Sequence, residues 1–140
     1  MPYDKARLEE LSRADCDVLL SSQRIGRVVM TAAALPVAFP VNYAYDGSSI
    51  VFRTAEGTKM EAERGSVVVA FQVDDVDPDT SSGCSVLVTG VAQLVTDREA
   101  LERADALGLE SWAVDGGHYV RIDVGLVTGR RIRRPGLVAG

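Results

Sequence analysis

Seven short runs rich in Val, Ile, Phe, Tyr or Thr recur along this chain: "RIGRVVMT", "PVAFPVNYAY", "SIVFRT", "SVVVAFQV", "CSVLVTGVAQLV", "HYVRIDV" and "LVTGRRI". Side chains branched at Cβ or bearing aromatic rings fit the pleated surface of a sheet, so each run reads as a strand. Asp46-Gly47 between the second and third is the strongest hairpin signal, and Gly65 precedes the fourth. Pro40 inside an apolar run marks an edge position or a bulge. Many strands at short spacing favour closure, because a closed sheet exposes no edges. The expected fold is therefore mainly β, a six- or seven-stranded antiparallel barrel with flanking short helices.

Two helices interrupt the strands. In "LSRADCDVLLSSQ", Ser12 is placed to cap, Asp15 follows as a short-armed capping-box partner, and Cys16, Leu19 and Leu20 share one face. From Asp97 to Gly108, "DREALERADALG" is built of strong helix formers, with Leu101, Ala104 and Leu107 on one side and Gly108 as its stop. This second helix is expected on the barrel end. The tail from about residue 133, with Pro135 and two glycines, is expected to be loose.

At 140 residues the expected organisation is one domain spanning 1–140, burying roughly 70% of the surface of the unfolded chain. Hydrophobic residues make up 46% and charged residues 25%, too apolar a mix for disorder. The net charge of −5 argues against general binding of nucleic acid. No run approaches a membrane span and the first residues lack a signal peptide's apolar core, so the expected location is cytoplasmic. Cys16 and Cys84, far apart in sequence, read as small hydrophobes and not as a disulfide framework.

The chemistry is concentrated in "FRTAEGTKM". A strand ending in Arg53-Thr54, a turn at Gly57 and a helix-like start at Thr58-Lys59 offer two cations, two hydroxyls and free N–H groups, as a phosphate requires. The same residues also serve as a plain strand, turn and solvated helix start. Asn42 in "PVNYAY" offers an amide among apolar and aromatic residues, either for a flat heteroaromatic ligand or for neighbouring backbone. Trp112, beside Gly116 and Gly117, either closes the core or forms a lid over a ligand. His118 stands alone, without the spacing of a zinc site. The acidic run Asp74, Asp75, Asp77, Asp79 fails as a calcium loop, because Thr80 and Val86 occupy the positions of the required glycine and glutamate; it reads as a solvated turn. The arginines at 130, 131, 133 and 134 read as a solvated charge run, or as contacts to a partner subunit or to a ligand's anionic tail.

Taken together, "IGRVVMT", "PVAFPVNYAYDGSSIVFRTAEGTKM", "VVVAFQVDDVDP", "GCSVLVTGVAQLVTD" and "VRIDVGLVTGRRI" resemble the pyridoxamine 5′-phosphate oxidase-like family of FMN-binding split-barrel proteins, over about residues 12 to 132. The resemblance implies a homodimer with FMN at the interface. It places Arg53 and Lys59 near the phosphate with Thr54 and Thr58 beside it, Val41, Asn42 and Phe52 along the ring, and Ser85 reaching in from the partner strand. Cys84 stands where relatives often carry a large aromatic ring, Ala34 where a turn glycine is common, and Gln72 where Glu is usual. Trp112 and Cys84 would border the substrate pocket. The implied function is that of an FMN-binding oxidoreductase in which Asn42 tunes the ring. No catalytic acid or base stands out and no metal is expected. The alternative is a non-catalytic protein that binds or sequesters a flavin, a deazaflavin or a tetrapyrrole.

Overall fold

The structure is a computed structural model that describes residues 7–54, 65–110 and 117–133. Its elements in chain order are β1 (Arg7–Glu10), α1 (Arg13–Ser22), β2 (Ile25–Ala32), β3 (Leu35–Tyr45), β4 (Ser49–Thr54), β5 (Ser66–Asp77), β6 (Ser82–Leu94), α2 (Arg98–Ala106) and β7 (His118–Arg133). All pairings are antiparallel in the order β1-β7-β4-β3-β2-β5-β6, and β6 returns to β7. Six strands thus close into a split β-barrel, and β1 extends it along β7.

The barrel closes around side chains selected by strand alternation. Val28, Val41, Tyr43, Ile50, Phe52, Phe71, Val86, Val88, Val120 and Ile122 fill one core. One end is plugged by α1. Ser12 caps it by accepting from the Asp15 N–H at 3.1 Å, and Cys16, Leu19 and Leu20 point inward. Tyr43 donates its hydroxyl hydrogen bond to the Leu20 carbonyl, and Tyr45 donates to Asp17 Oδ1 at 2.6 Å, so β3 grips the plug at two points. The hydrogen bond from Tyr45, with help from Arg13, holds the Asp17 carboxyl below its ordinary pKa against the opposing effect of burial.

Pro40 sits where β3 pairs with β2 alone, since β4 meets β3 only at Tyr43–Tyr45; a residue without an N–H leaves no ladder bond unmade there. Three expectations are corrected. Asp74, Asp75 and Asp77 lie on β5, paired with Ser85, Cys84 and Ser82, and only Asp79 falls in the turn. "HYVRIDV" and "LVTGRRI" form one strand, β7, because Gly125 is taken up as an extra residue at an irregularity and pairing continues past it. The seventh strand is instead β1, which carries no periodic signal of its own. Finally, α2 lies along the outer face of β3, β4 and β7, held there by its Asp105 to Tyr119 of β7, and not over the barrel end.

The β2–β3 hairpin turns on two residues, Ala33 and Ala34, at φ of 51° and 64°. A two-residue turn with both central φ positive matches the twist of its strands but favours Gly or Asn, since a Cβ costs about 1–2 kcal/mol in that region. Ala34→Gly is therefore expected to stabilise the protein by about 0.5–1 kcal/mol, after the extra freedom glycine gives the unfolded chain is subtracted. A denaturant midpoint that fails to rise would contradict this account of the turn.

Candidate functional site

On β4 the alternation turns Ile50, Phe52 and Thr54 inward and leaves Val51 and Arg53 on the outer face. Across the ladder Arg53 pairs with Tyr119 and Val51 with Arg121. The Arg53 guanidinium carbon lies 5.2 Å from the Tyr119 ring centroid, a cation–π contact that orients the guanidinium. Tyr119 is fixed in turn from α2, donating to Asp105 Oδ1 at 2.7 Å; burial first, and then that bond, push its phenol above the ordinary pKa.

Arg53 Nε is buried and has no hydrogen-bond partner among the described residues. A donor removed from water and left unpaired costs about 1–3 kcal/mol, and more when it is charged. Nearly all such groups in folded proteins are satisfied, so this donor, on an outer face beside an oriented ring, marks a candidate anion site.

Asn42 stands one residue beyond the Tyr43–Phe52 pair, beside Arg53 across the sheet. Its Nδ2 donates to the Arg24 carbonyl at 2.9 Å and its Oδ1 accepts from the Glu110 N–H at 2.8 Å. The amide thus pins the segment after α2 onto β3. The side chains of Val41 and Phe52 are 3% and 0% exposed and belong to the core. Only their backbone borders the outer face. Thr54, buried at 8% exposure, lies beside Arg53 at the strand end. Thr58, Lys59 and Trp112 lie outside the described residues.

Ser85 occupies another part of the barrel. It accepts from Gln72 Nε2 at 3.3 Å and pairs with Arg130 of β7, in a shallow cleft of about 230 Å³ lined also by Leu87 and Thr128. Tyr119 and Arg130 are eleven residues apart on β7, roughly 36 Å along the strand at about 3.3 Å per residue. One chain brings Arg53, Tyr119 and Asn42 together and leaves Ser85 at the far end. Beside Ser85, Cys84 pairs with Arg131 across the β6–β7 ladder, and its sulfur nearby holds the Arg131 guanidinium above its ordinary pKa. Cys84 is partly buried against the core, Cys16 fully so. His118 is exposed at the start of β7, and among the described residues no group of three His, Cys, Asp or Glu side chains could hold a metal.

A cavity of about 340 Å³ between α2 and the outer face of β3, β4 and β7 was not anticipated from sequence. The signal available was the small residues Ala44, Ala100 and Ala104, which leave space where a helix meets a sheet. Nothing in the helical periodicity says which face α2 covers.

The fold is that of an antiparallel split barrel, with Arg53 Nε on its outer face unpaired among the described residues. Within that fold class, the family model for pyridoxamine 5′-phosphate oxidase matches residues 12–131, and the chain belongs to that family. It is 40% identical to the uncharacterized protein Rv0080 of Mycobacterium tuberculosis, over 94% of this chain and 90% of that one. Among solved structures it is similar to an FAD-binding protein of Mycobacterium smegmatis, with 37% identity, a TM-score of 0.72, and coverage of 89% of this chain and 98% of the other. A Corynebacterium glutamicum protein named as a candidate pyridoxamine 5′-phosphate oxidase gives 32% identity and a TM-score of 0.77, with the same coverage of both chains. No helix among the described residues is long and apolar enough to cross a membrane.

Proposed function

We propose that this protein binds a flavin, with Arg53 as the principal anchor of the cofactor's phosphate, and works as a flavin-dependent oxidoreductase. The observation that carries the reading is the orphaned Arg53 Nε, a buried cationic donor that a phosphate oxygen would satisfy. The family and the FAD-binding relative supply the cofactor class, and FMN is the finer reading because one phosphate suffices for the "FRTAEGTKM" cluster. Thr54, Thr58 and Lys59 complete the phosphate site on the family resemblance. A bound flavin supplies hydride or electron transfer at its ring. The chain's own part is to bind and orient: Tyr119 holds the guanidinium in place, Asp105 holds Tyr119, and Asn42 holds the segment after α2 beside them.

We also propose a homodimer in which Ser85 reaches the partner's flavin. On the outer face of β5, β6 and β7, Val68 pairs with Val91, Leu87 lies opposite Thr128 and Thr89 opposite Leu126. Val68 and Leu126 are 65% and 62% exposed on a face that also carries Ser85. A second copy seated there covers these apolar groups and brings a strand with a hydroxyl and an amide to a site that one chain leaves half built. Light scattering should therefore give a dimer at micromolar concentration. Leu126→Asp should raise the dissociation constant by roughly 100-fold or more, the effect of an unpaired carboxylate buried at a cost of about 3–5 kcal/mol. A wild-type monomer at that concentration would refute the assembly.

The copurified chromophore tests the function, by absorbance and by mass after denaturation, which separates FMN from FAD and from a deazaflavin. Bleaching by NADH or NADPH and recolouring in air marks redox work. A second reading, a non-catalytic flavin, deazaflavin or tetrapyrrole carrier, is favoured by one observation: the Asn42 amide is engaged by backbone on both sides, which weakens it as a donor to tune the ring. That reading predicts a chromophore inert to both nucleotides.

A further inference from the structure

The cavity beneath α2 is separate from the Arg53 anchor and has a chemistry of its own. Its floor is Ala44 of β3, Val51 of β4 and Arg121 of β7, and its roof is Arg103, Ala104 and Leu107 on and just after α2. At about 340 Å³ it has the volume of a small-ligand pocket, and its walls are mainly apolar with two guanidinium groups among them. Arg121 donates its Nε to Asp123 Oδ1 at 3.1 Å, which leaves the rest of its five-donor fork available. Arg103 has no ion-pair or hydrogen-bond partner among the described residues; its place in the last turn of α2 also suits the helix dipole, so Arg121 carries more of the argument.

One carboxylate, Asp46, lies at the edge of the cavity. Its Oδ1 accepts from the Ser48 and Ser49 N–H groups and the Ser48 hydroxyl, and its Oδ2 from the Ser49 hydroxyl. It is committed to the β3–β4 turn and does not compete for the arginines. Asp123, outside the lining, already pairs with Arg121 Nε, so the donors left for a ligand are Arg103 and the rest of the Arg121 fork. An apolar slot with a guanidinium fork in its floor fits one ligand chemistry, a ring or branched chain ending in a single carboxylate, which the fork can take by charge-assisted hydrogen bonds.

We infer that this cavity is a binding site for a small apolar monocarboxylate, held by Arg121 and Arg103 and distinct from the phosphate anchor at Arg53. The site does not depend on the flavin reading. Val51 and Arg121 lie two residues along their strands from Arg53 and Tyr119, roughly 7 Å away, so an occupant would sit beside whatever Arg53 holds.

Benzoate and its neutral counterpart benzamide, titrated into the purified protein and followed by amide chemical shifts and melting temperature, test the inference. Benzoate should bind saturably, with shifts centred on α2 and the β3–β4 hairpin, and about tenfold more tightly than benzamide. Arg121→Gln should remove most of that preference and Arg103→Gln a smaller part, both leaving benzamide unaffected. Ala100→Leu, which fills the cavity from the helix side, should exclude both probes, and Arg53→Ala should leave benzoate binding intact. Equal affinity for the two probes, no saturable benzoate binding at millimolar concentration, or loss of benzoate binding in Arg53→Ala would overturn it; the last would place the anion at the phosphate anchor. The comparison of the two probes on the unaltered protein decides the matter even if a variant fails to fold.

Discussion

Arg53→Ala is expected to weaken FMN binding by roughly 10- to 100-fold while changing riboflavin binding little. A phosphate dianion drawn out of water needs charged donors, and a hydrogen bond to a charged group contributes about 1.5–3 kcal/mol, at about 1.4 kcal/mol per factor of ten. Arg53 is suited to give it, because its Nε is buried without a partner and its guanidinium rests on the Tyr119 ring. In the ligand-free protein the substitution removes two opposing contributions, the unfavourable burial of an unpaired donor and the favourable cation–π contact of about 0.5–2 kcal/mol, so the melting temperature should move little. Arg53→Lys should still lose affinity, since an ammonium cannot reproduce a two-pronged, ring-stacked contact. FAD is measured in parallel, and its loss should match that of FMN if the same phosphate is held. Equal losses for FMN and riboflavin, or none for FMN, would show that Arg53 is not the anchor.

Local signals carried much of this fold. Ser12 caps α1 and Cys16, Leu19 and Leu20 turn inward because capping and a 3.6-residue period are properties of a short window. Gly47 takes a φ of 98° in the β3–β4 turn, and Gly108 a φ of 65° just after α2, for equally local reasons. The site was only partly legible. Arg53 and Thr54 stand out by chemistry, whereas the side chains of Val41 and Phe52 fall on the inward parity of their strands, which leaves their backbone to border a ring on the outer face. Period two identifies a strand without saying which of its faces meets the core. Asn42 is tied to Arg24 and Glu110, 18 and 68 residues away, and Tyr119 to Asp105 on a helix whose docking face no window reveals. These are tertiary pairings, and the α2 cavity depends on them entirely.

The largest loss of stability is expected from Gly90→Ala, about 3 kcal/mol or more, although the backbone there is not in a region reserved for glycine. The reason lies in β7. Its core-facing residues are Val120, Ile122 and Val124 before Gly125, then Val127 and Gly129 after it, so the inward parity changes from even to odd. The ladder shows how: Thr89 of β6 pairs with Leu126 but Gly90 pairs with Val124, leaving Gly125 as the extra residue that resets the alternation. Without that reset Leu126, Thr128 and Arg130 would turn into the core, and neither the proposed dimer face nor the cleft at Ser85 would form. The bulge puts the Asp123 carbonyl in the space where a Cβ on Gly90 would stand, with the Ile122 side chain close beside it, and backbone cannot swing aside as the end of a flexible side chain can. Gly125→Ala makes the graded comparison. Its one tight contact would be the Thr89 carbonyl oxygen, at 3.0 Å, which a small shift relieves, and its cost should be about 1 kcal/mol. Denaturant unfolding of both variants should therefore rank Gly90→Ala well below Gly125→Ala, with the first recovered in low yield if it folds at all. A Gly90→Ala protein within about 1 kcal/mol of wild type would mean that β6 and β7 can slide past this point, and that the two faces of β7 are not fixed by its bulge.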